Sequence, residues 1–145
     1  MTISEHATAH PSASAPVRPA QTTNLRTPER RVALTLLAGV GAFELALAAG
    51  APWGAAAWGG QSPGVLPTSL RVASAAAVLV YGGLAVIVAT DRLGSTWRAR
   101  LLTAASLLIA LGAVGNLASQ SPVERVWAPV AATLAVMLWR LRGPR

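Results

Sequence analysis

A single carboxylate lies within the first long apolar run of the chain. Glu44 follows the uncharged residues that begin at Val32, and it lies six positions before Gly50. If this run is a helix, a rise of about 1.5 Å per residue places Glu44 roughly 9 Å from that end. A charged side chain so deep in hydrocarbon costs about 2.5–3.5 kcal/mol on insertion scales, so it should face the protein interior and meet a partner.

The candidate partners of Glu44 fall at the ends of the other apolar runs. They share polar or charged side chains and an expected position at the same depth: Arg71, Asn116, Ser119, Ser121, Glu124 and Arg125. An arginine that reaches Glu44 would keep the carboxylate ionised and tie two helices together. A carboxyl left without an arginine would favour its neutral form and could exchange a proton. A satisfied hydrogen-bond network is the structural alternative to an ion, proton or substrate site.

Four apolar runs carry these residues, at about 32–50, 70–90, 100–118 and 126–141. Each is close to the ~20 residues that cross ~30 Å of hydrocarbon as a helix. Lipid requires the backbone polar groups to be paired, and no run shows the alternation of a barrel strand. The sequence therefore predicts an all-α polytopic membrane protein, a four-transmembrane-helix bundle over residues 29–142. Residues 1–28, rich in Ala, Ser, Thr and Pro, are predicted to be a disordered cytoplasmic tail.

The arginines predict the orientation of these helices. All twelve basic residues are arginine, and the net charge is +7. Ten arginines flank the first run, the second connection and the C-terminus, whereas only Arg71 and Arg125 fall in the other two connections. Because basic residues accumulate on the cytoplasmic side, both termini are predicted to lie in the cytoplasm of a bacterium, with the chain in its inner (cell) membrane.

The tryptophans fall at the ends of the runs, where amphipathic rings meet lipid headgroups. Trp97 and Trp139 lie on the cytoplasmic side, and Trp53, Trp58 and Trp127 on the opposite side, as an outer lid or interface. The first connection, residues 50–67, contains glycines and prolines that exclude a long helix. It is either a lid on the membrane surface or an anchored connector.

The third connection has the pattern of a helix start. Ser121 is the predicted N-cap, Pro122 the first helical residue, and Glu124 follows three residues after the cap. Capping alone could explain Ser121 and Glu124. Arg30-Arg31 before an apolar run also fits a cleaved secretory signal, but Glu44 interrupts that run and three more follow, which favours an uncleaved helix.

Several classes of function are disfavoured. The chain has no cysteine, and His6 and His10 lie in the predicted tail. No nucleophile–base spacing or metal-ligand set is recognisable, so we predict that the chain is not an enzyme and takes no cofactor or metal. The arginines flank apolar runs and form no patch with aromatic residues, so no nucleic-acid partner is predicted.

The motifs resemble an uncharacterised family of small four-helix bacterial membrane proteins. The resemblance covers residues 32–141 and rests on these positions: Gly50–Gly54, Gly59-Gly60, Leu66-Pro67, Arg71, Asn116, Ser119, Ser121, Glu124-Arg125, Trp127 and Pro129. It implies four-helix topology and emphasises these residues, but it implies no activity. The chain is also similar to small multidrug transporters in its four helices and first-helix carboxylate, and differs in its long first connection.

Small residues on the first run predict how the helices associate. Ala38, Ala42, Ala46 and Gly50 recur at four-residue spacing, which favours close packing between helices in lipid. The predicted function is therefore structural or accessory, through helix contacts in a homodimer or with another membrane protein in the lipid bilayer. The alternative is a small proton- or ion-coupled transporter that uses Glu44 and the polar cluster.

Overall fold

The computed structural model describes residues 26–90 and 92–143, and this part of the chain is helical and contains no strand. The helices are α1 (Arg26–Ala49), α2 (Thr68–Ala89), α3 (Ser95–Ala118), α4 (Pro122–Arg125) and α5 (Trp127–Leu141). The predicted all-α fold is confirmed. In α1, α2 and α3 an apolar stretch is long enough to cross a membrane.

The helix bounds differ from the prediction in two places. α1 begins at Arg26, so residues 26–28, predicted as tail, form its first turn. Pro28 is tolerated there because backbone N–H groups in the first turn have no intrahelical partner, so proline loses no hydrogen bond by lacking one. The rest of the predicted tail, residues 1–25, lies outside the described residues. α3 begins at Ser95, five residues earlier than predicted. The single turn α4 precedes the predicted fourth run, and that run, 126–141, agrees with α5 to within one residue.

The helices pack as two antiparallel hairpins. α1 packs on α2, α3 packs on α5, and α1 also packs on α5. α2 and α3 have no comparable contact with each other. The main core joins the hairpins through the buried side chains of Leu37, Val88, Leu102, Leu134 and Leu138. The bundle is therefore closed along α1 and α5 and open between α2 and α3.

Arginines link the helix ends at one end of the bundle, which we call the arginine end. Side chains there reach carbonyls at helix C-termini or a carboxylate: Arg30 donates to Ala89 O, Arg98 Nη1 to Leu141 O at 2.8 Å, and Arg140 Nε lies 2.9 Å from Glu29 Oε1. Cations are favoured at helix C-termini because the carbonyls there lack intrahelical partners. These contacts place the starts of α1 and α3 beside the ends of α2 and α5.

The seam predicted from the small residues of α1 does not form within the chain. Ala38 and Ala42 are exposed, whereas Leu37 and Leu47 are buried. The neighbouring face of α1 packs inward because its leucines fill the space between the hairpins. Ala38 and Ala42 therefore point outward, whereas Ala46 and Gly50 of the same stripe are half-buried.

Candidate functional site

A cavity of about 660 Å³ lies between the two hairpins. Val80 and Leu84 of α2 line one side, Leu101 and Leu108 of α3 line the other, and α1 and α5 form the back. Val80 and Leu108 are 58% and 68% exposed, so the cavity opens sideways through the gap between α2 and α3. A concave, mostly apolar space of this size with a few convergent polar groups has the character of a small-molecule site.

Residues 50–67, which we call the connector, cover the end of the bundle opposite the arginine end. The polar groups of the cavity converge at this end, which we call the connector end. They come from five parts of the chain: Glu44, Trp58, Tyr81, Asn116 and Glu124. Glu44 is near the C-terminal end of α1. It lies on the same face of α1 as Val40, one turn before it, and Leu47. The cavity therefore has one acidic end and a long apolar body.

Glu44 is only partly satisfied by protein donors. The hydroxyl of Ser74, a fully buried residue of α2, lies within hydrogen-bonding reach of the Glu44 carboxyl. The indole N–H of Trp58 donates to Ser74 Oγ at 3.1 Å, which leaves the hydroxyl proton for Glu44. Glu44 Oε2 is buried and accepts no hydrogen bond from any described residue. A buried acceptor without a donor is unfavourable, so this oxygen is available to a ligand.

Glu124 is buried, with 6% of its surface exposed, and holds the connector in place. Its Oε1 accepts the backbone N–H of Gly59 at 2.8 Å, and its Oε2 accepts the hydroxyl of Ser119. Ser121 is the N-cap of α4, as predicted: its Oγ accepts the Glu124 N–H at 3.4 Å. Ser121 Oγ also donates to Ala55 O at 2.8 Å. The Glu124 carboxylate thus binds the connector rather than closing a capping box.

The two arginines expected near Glu44 bind elsewhere. Arg71 Nε donates to Ala48 O at 3.1 Å, and Arg125 Nε donates to Ser119 O at 2.8 Å. Neither side chain lines the cavity. The ion pair that would tie Glu44 to an arginine is therefore absent among the described residues. Two carboxylates, Glu44 and Glu124, face one cavity without a cation.

The connector is anchored to both hairpins. Trp58 bonds to α2 and Gly59 to α4, as described above. Phe43 of α1 lies against both Trp53 and Trp127, with ring centroids 6.1 and 4.6 Å apart. These contacts anchor residues 50–67 to the helices, and the alternative of a lid on a membrane surface stays a prediction.

A second, polar cavity of about 420 Å³ adjoins the acidic end. It is lined by Gly59, Gln61 and Ser119 and shares Asn116 and Glu124 with the larger cavity. We call it the vestibule. The acidic end can therefore be approached from two directions, through the vestibule and through the gap between α2 and α3.

The sequence analysis did not identify Ser74 and Tyr81 as neighbours of Glu44. They lie seven residues apart and therefore on one face of α2. That spacing, in a helix otherwise almost devoid of polar side chains, is a signal that could have paired them with a carboxyl. Within residues 26–90 and 92–143, no three His, Cys, Asp or Glu side chains cluster as a metal site would require.

No family model matches this chain, and no curated protein or solved structure shows significant similarity to it. The family resemblance drawn from the motifs stays a prediction.

Proposed function

We propose that the chain crosses a bacterial cell membrane four times, with the arginine end in the cytoplasm. Three spans are α1, α2 and α3. The fourth is residues 126–141, which comprise α5 and the residue before it and rise about 24 Å at about 1.5 Å per residue; the single turn α4 adjoins this span at its outer end. The excess of arginine at one end supports the orientation.

We propose further that this protein binds an amphiphilic cation and works as a small carrier. One observation carries this proposal: Glu44 and Glu124 face an apolar cavity, and both nearby arginines are bonded outside it. In a low-dielectric surrounding, uncompensated carboxylates attract a positive charge strongly. A ligand with an apolar body and an ammonium head complements both parts of the cavity.

A carrier function, rather than permanent binding, is supported by the two approaches to the acidic end. A ligand that enters by the gap between α2 and α3 would meet Glu44, and it would leave through the vestibule past Asn116 and Glu124, which line both cavities. A carboxyl that binds a cation can also bind a proton in its absence. This favours the transporter hypothesis over the structural one, with Glu44 as the exchanging group.

Equilibrium binding tests the proposal with two ions of matched shape and opposite charge. The full chain in lipid nanodiscs should bind tetraphenylphosphonium saturably and should not bind tetraphenylborate. Glu44→Gln should weaken tetraphenylphosphonium binding at least about tenfold, since a desolvated charge pair loses its anion. Glu29→Gln, which removes a carboxylate at the arginine end, is the matched control and should leave binding unchanged. Equal binding of both ions, or no effect of Glu44→Gln, would contradict the proposal.

The structural or accessory function remains a second candidate, favoured by the outward small-residue face of α1. Ala38 and Ala42 are exposed there, and small residues let a helix of a second copy approach closely. Ala42→Ile should then weaken a homodimer in detergent, measured by sedimentation. A wild-type protein that is monomeric at every concentration, with no co-purifying membrane protein, would remove this candidate.

A further inference from the structure

We infer that the ligand is a long-chain amine of the bilayer that enters sideways between α2 and α3, with its chain in the apolar body of the cavity. This inference rests on the proposed cation site and adds the class of ligand and its route. It follows from the length of the cavity, the position of its opening and the distribution of charge along the helices.

The cavity is much longer than a compact cation. On α3 it extends from Leu101 to Asn116, fifteen residues or about 22 Å of helix rise. On α2 it extends from Ala77 to Ile87, ten residues or about 15 Å. Glu44, Asn116 and Glu124 line the part near the connector end, and among the described residues Tyr81 is the one polar side chain along the remaining length, which otherwise suits a hydrocarbon chain aligned with the helices.

The opening faces the lipid phase in a four-span protein. The gap is flanked by exposed apolar side chains, Val80 on α2 and Leu108 on α3, and Tyr81 is the one polar side chain of the described chain that lines this stretch. A gap flanked this way admits a lipid chain without desolvating any charged group. An apolar space between helices must also be filled by some hydrocarbon, because an empty one would forfeit dispersion contacts.

The charge pattern selects an amine over a helix of a second copy. Between Val32 and Ala49, Val72 and Ala89, Leu101 and Ala118, and Val126 and Trp139, the chain carries no charged residue except Glu44. A second copy could fill the gap with apolar side chains, but the four stretches named above contain no basic residue that could pair with Glu44. An ammonium head offers several N–H donors, which suits the unbonded Glu44 Oε2 and the amide oxygen of Asn116, which lines the same cavity.

The test is displacement of tetraphenylphosphonium by octadecylamine in phosphatidylcholine nanodiscs that hold the full chain. Leu108→Trp places a large ring in the gap, about 12 Å along α3 from Asn116. Its matched control is Leu107→Trp, at a residue that is 60% exposed and does not line the cavity. Comparing the variants in discs of equal amine content cancels the effect of membrane surface charge.

Octadecylamine should displace tetraphenylphosphonium from wild type and from Leu107→Trp. On Leu108→Trp the octadecylamine concentration needed for half displacement should be at least about tenfold higher, because the ring in the gap excludes the chain. Octadecanol and stearate, which have the same chain length and no cationic head, should not displace it. Tetraphenylphosphonium binding that octadecylamine leaves unchanged, or displacement equal in Leu107→Trp and Leu108→Trp, would overturn this inference while leaving the cation site intact. Failure of wild type to bind tetraphenylphosphonium would overturn both.

Discussion

The two carboxylates of the cavity should differ in how much the free energy of unfolding changes when each is replaced by the neutral amide. Glu124 accepts two hydrogen bonds, from Gly59 N–H and the Ser119 hydroxyl, and one of these connects it to the connector. Glu44 has one oxygen that is buried without a donor. Glu124→Gln should therefore destabilise the fold, and Glu44→Gln should not.

The size of each effect follows from the bonds that change. A hydrogen bond to a charged group contributes about 1.5–3 kcal/mol net. Glutamine keeps one acceptor oxygen, so Glu124→Gln loses one such bond and should lower the free energy of unfolding by about 2 kcal/mol. In Glu44→Gln the amide oxygen keeps the contact with Ser74, and removing a desolvated acceptor should change the free energy by less than about 0.5 kcal/mol or raise it.

Reversible unfolding in mixed micelles measures the free energy of unfolding of both variants and of wild type. The mole fraction of sodium dodecyl sulfate is the denaturing variable, and circular dichroism at 222 nm is the signal. The expected order of stability is Glu44→Gln equal to or above wild type, then Glu124→Gln. If Glu124→Gln were as stable as wild type, the bond to Gly59 would not hold the connector. If Glu44→Gln lost more than about 1 kcal/mol, Glu44 would be a structural tie and the ligand argument would fail.

Two further predictions concern the connector end. Gly60→Ala should lower the free energy of unfolding by about 1–3 kcal/mol in the same assay, because the backbone φ of Gly60 is +68° and an added Cβ would lie 2.5 Å from Ser121 Cβ. The control is Gly83→Ala, which has open space around the added Cβ and should be neutral or stabilising. Ser121→Ala should lose about 1–2 kcal/mol, since it removes both the N-cap of α4 and the bond to Ala55 O, whereas the exposed Ser69→Ala should lose almost nothing.

The sequence predicts the elements of this fold better than their arrangement. Long uncharged runs identify the helices, and Ser121-Pro122 identifies the start of α4 within one turn. The bounds fail at Arg26 and Ser95, because helices continue past the apolar residues into the charged flanks. Hydrophobicity marks where lipid begins, and it does not mark where backbone hydrogen bonding stops.

Helix pairing could not be predicted because the exposed and the buried side chains of these helices are equally apolar, as Leu79 at 77% exposure and the buried Leu37 illustrate. The small residues of α1 indicated a seam at Ala38 and Ala42, yet α1 packs through Leu37 and Leu47. The cost of burying a charge indicated correctly that Glu44 faces inward. Its neighbour is Ser74 rather than an arginine, and Arg71 donates to the carbonyl of Ala48 instead. That choice depends on side-chain geometry that spacing alone does not contain.

The most direct test of the central claim is to locate a bound amine on the protein. A long-chain primary amine with a photoreactive diazirine in mid-chain is added to the full chain in nanodiscs, irradiated, and its adducts are mapped by mass spectrometry. Adducts should concentrate on the cavity side of the gap, at Val80, Tyr81 and Leu108, and an excess of tetraphenylphosphonium should suppress them. Adducts spread evenly over lipid-facing positions such as Leu79 and Leu107, and insensitive to that competitor, would contradict a ligand site between the hairpins.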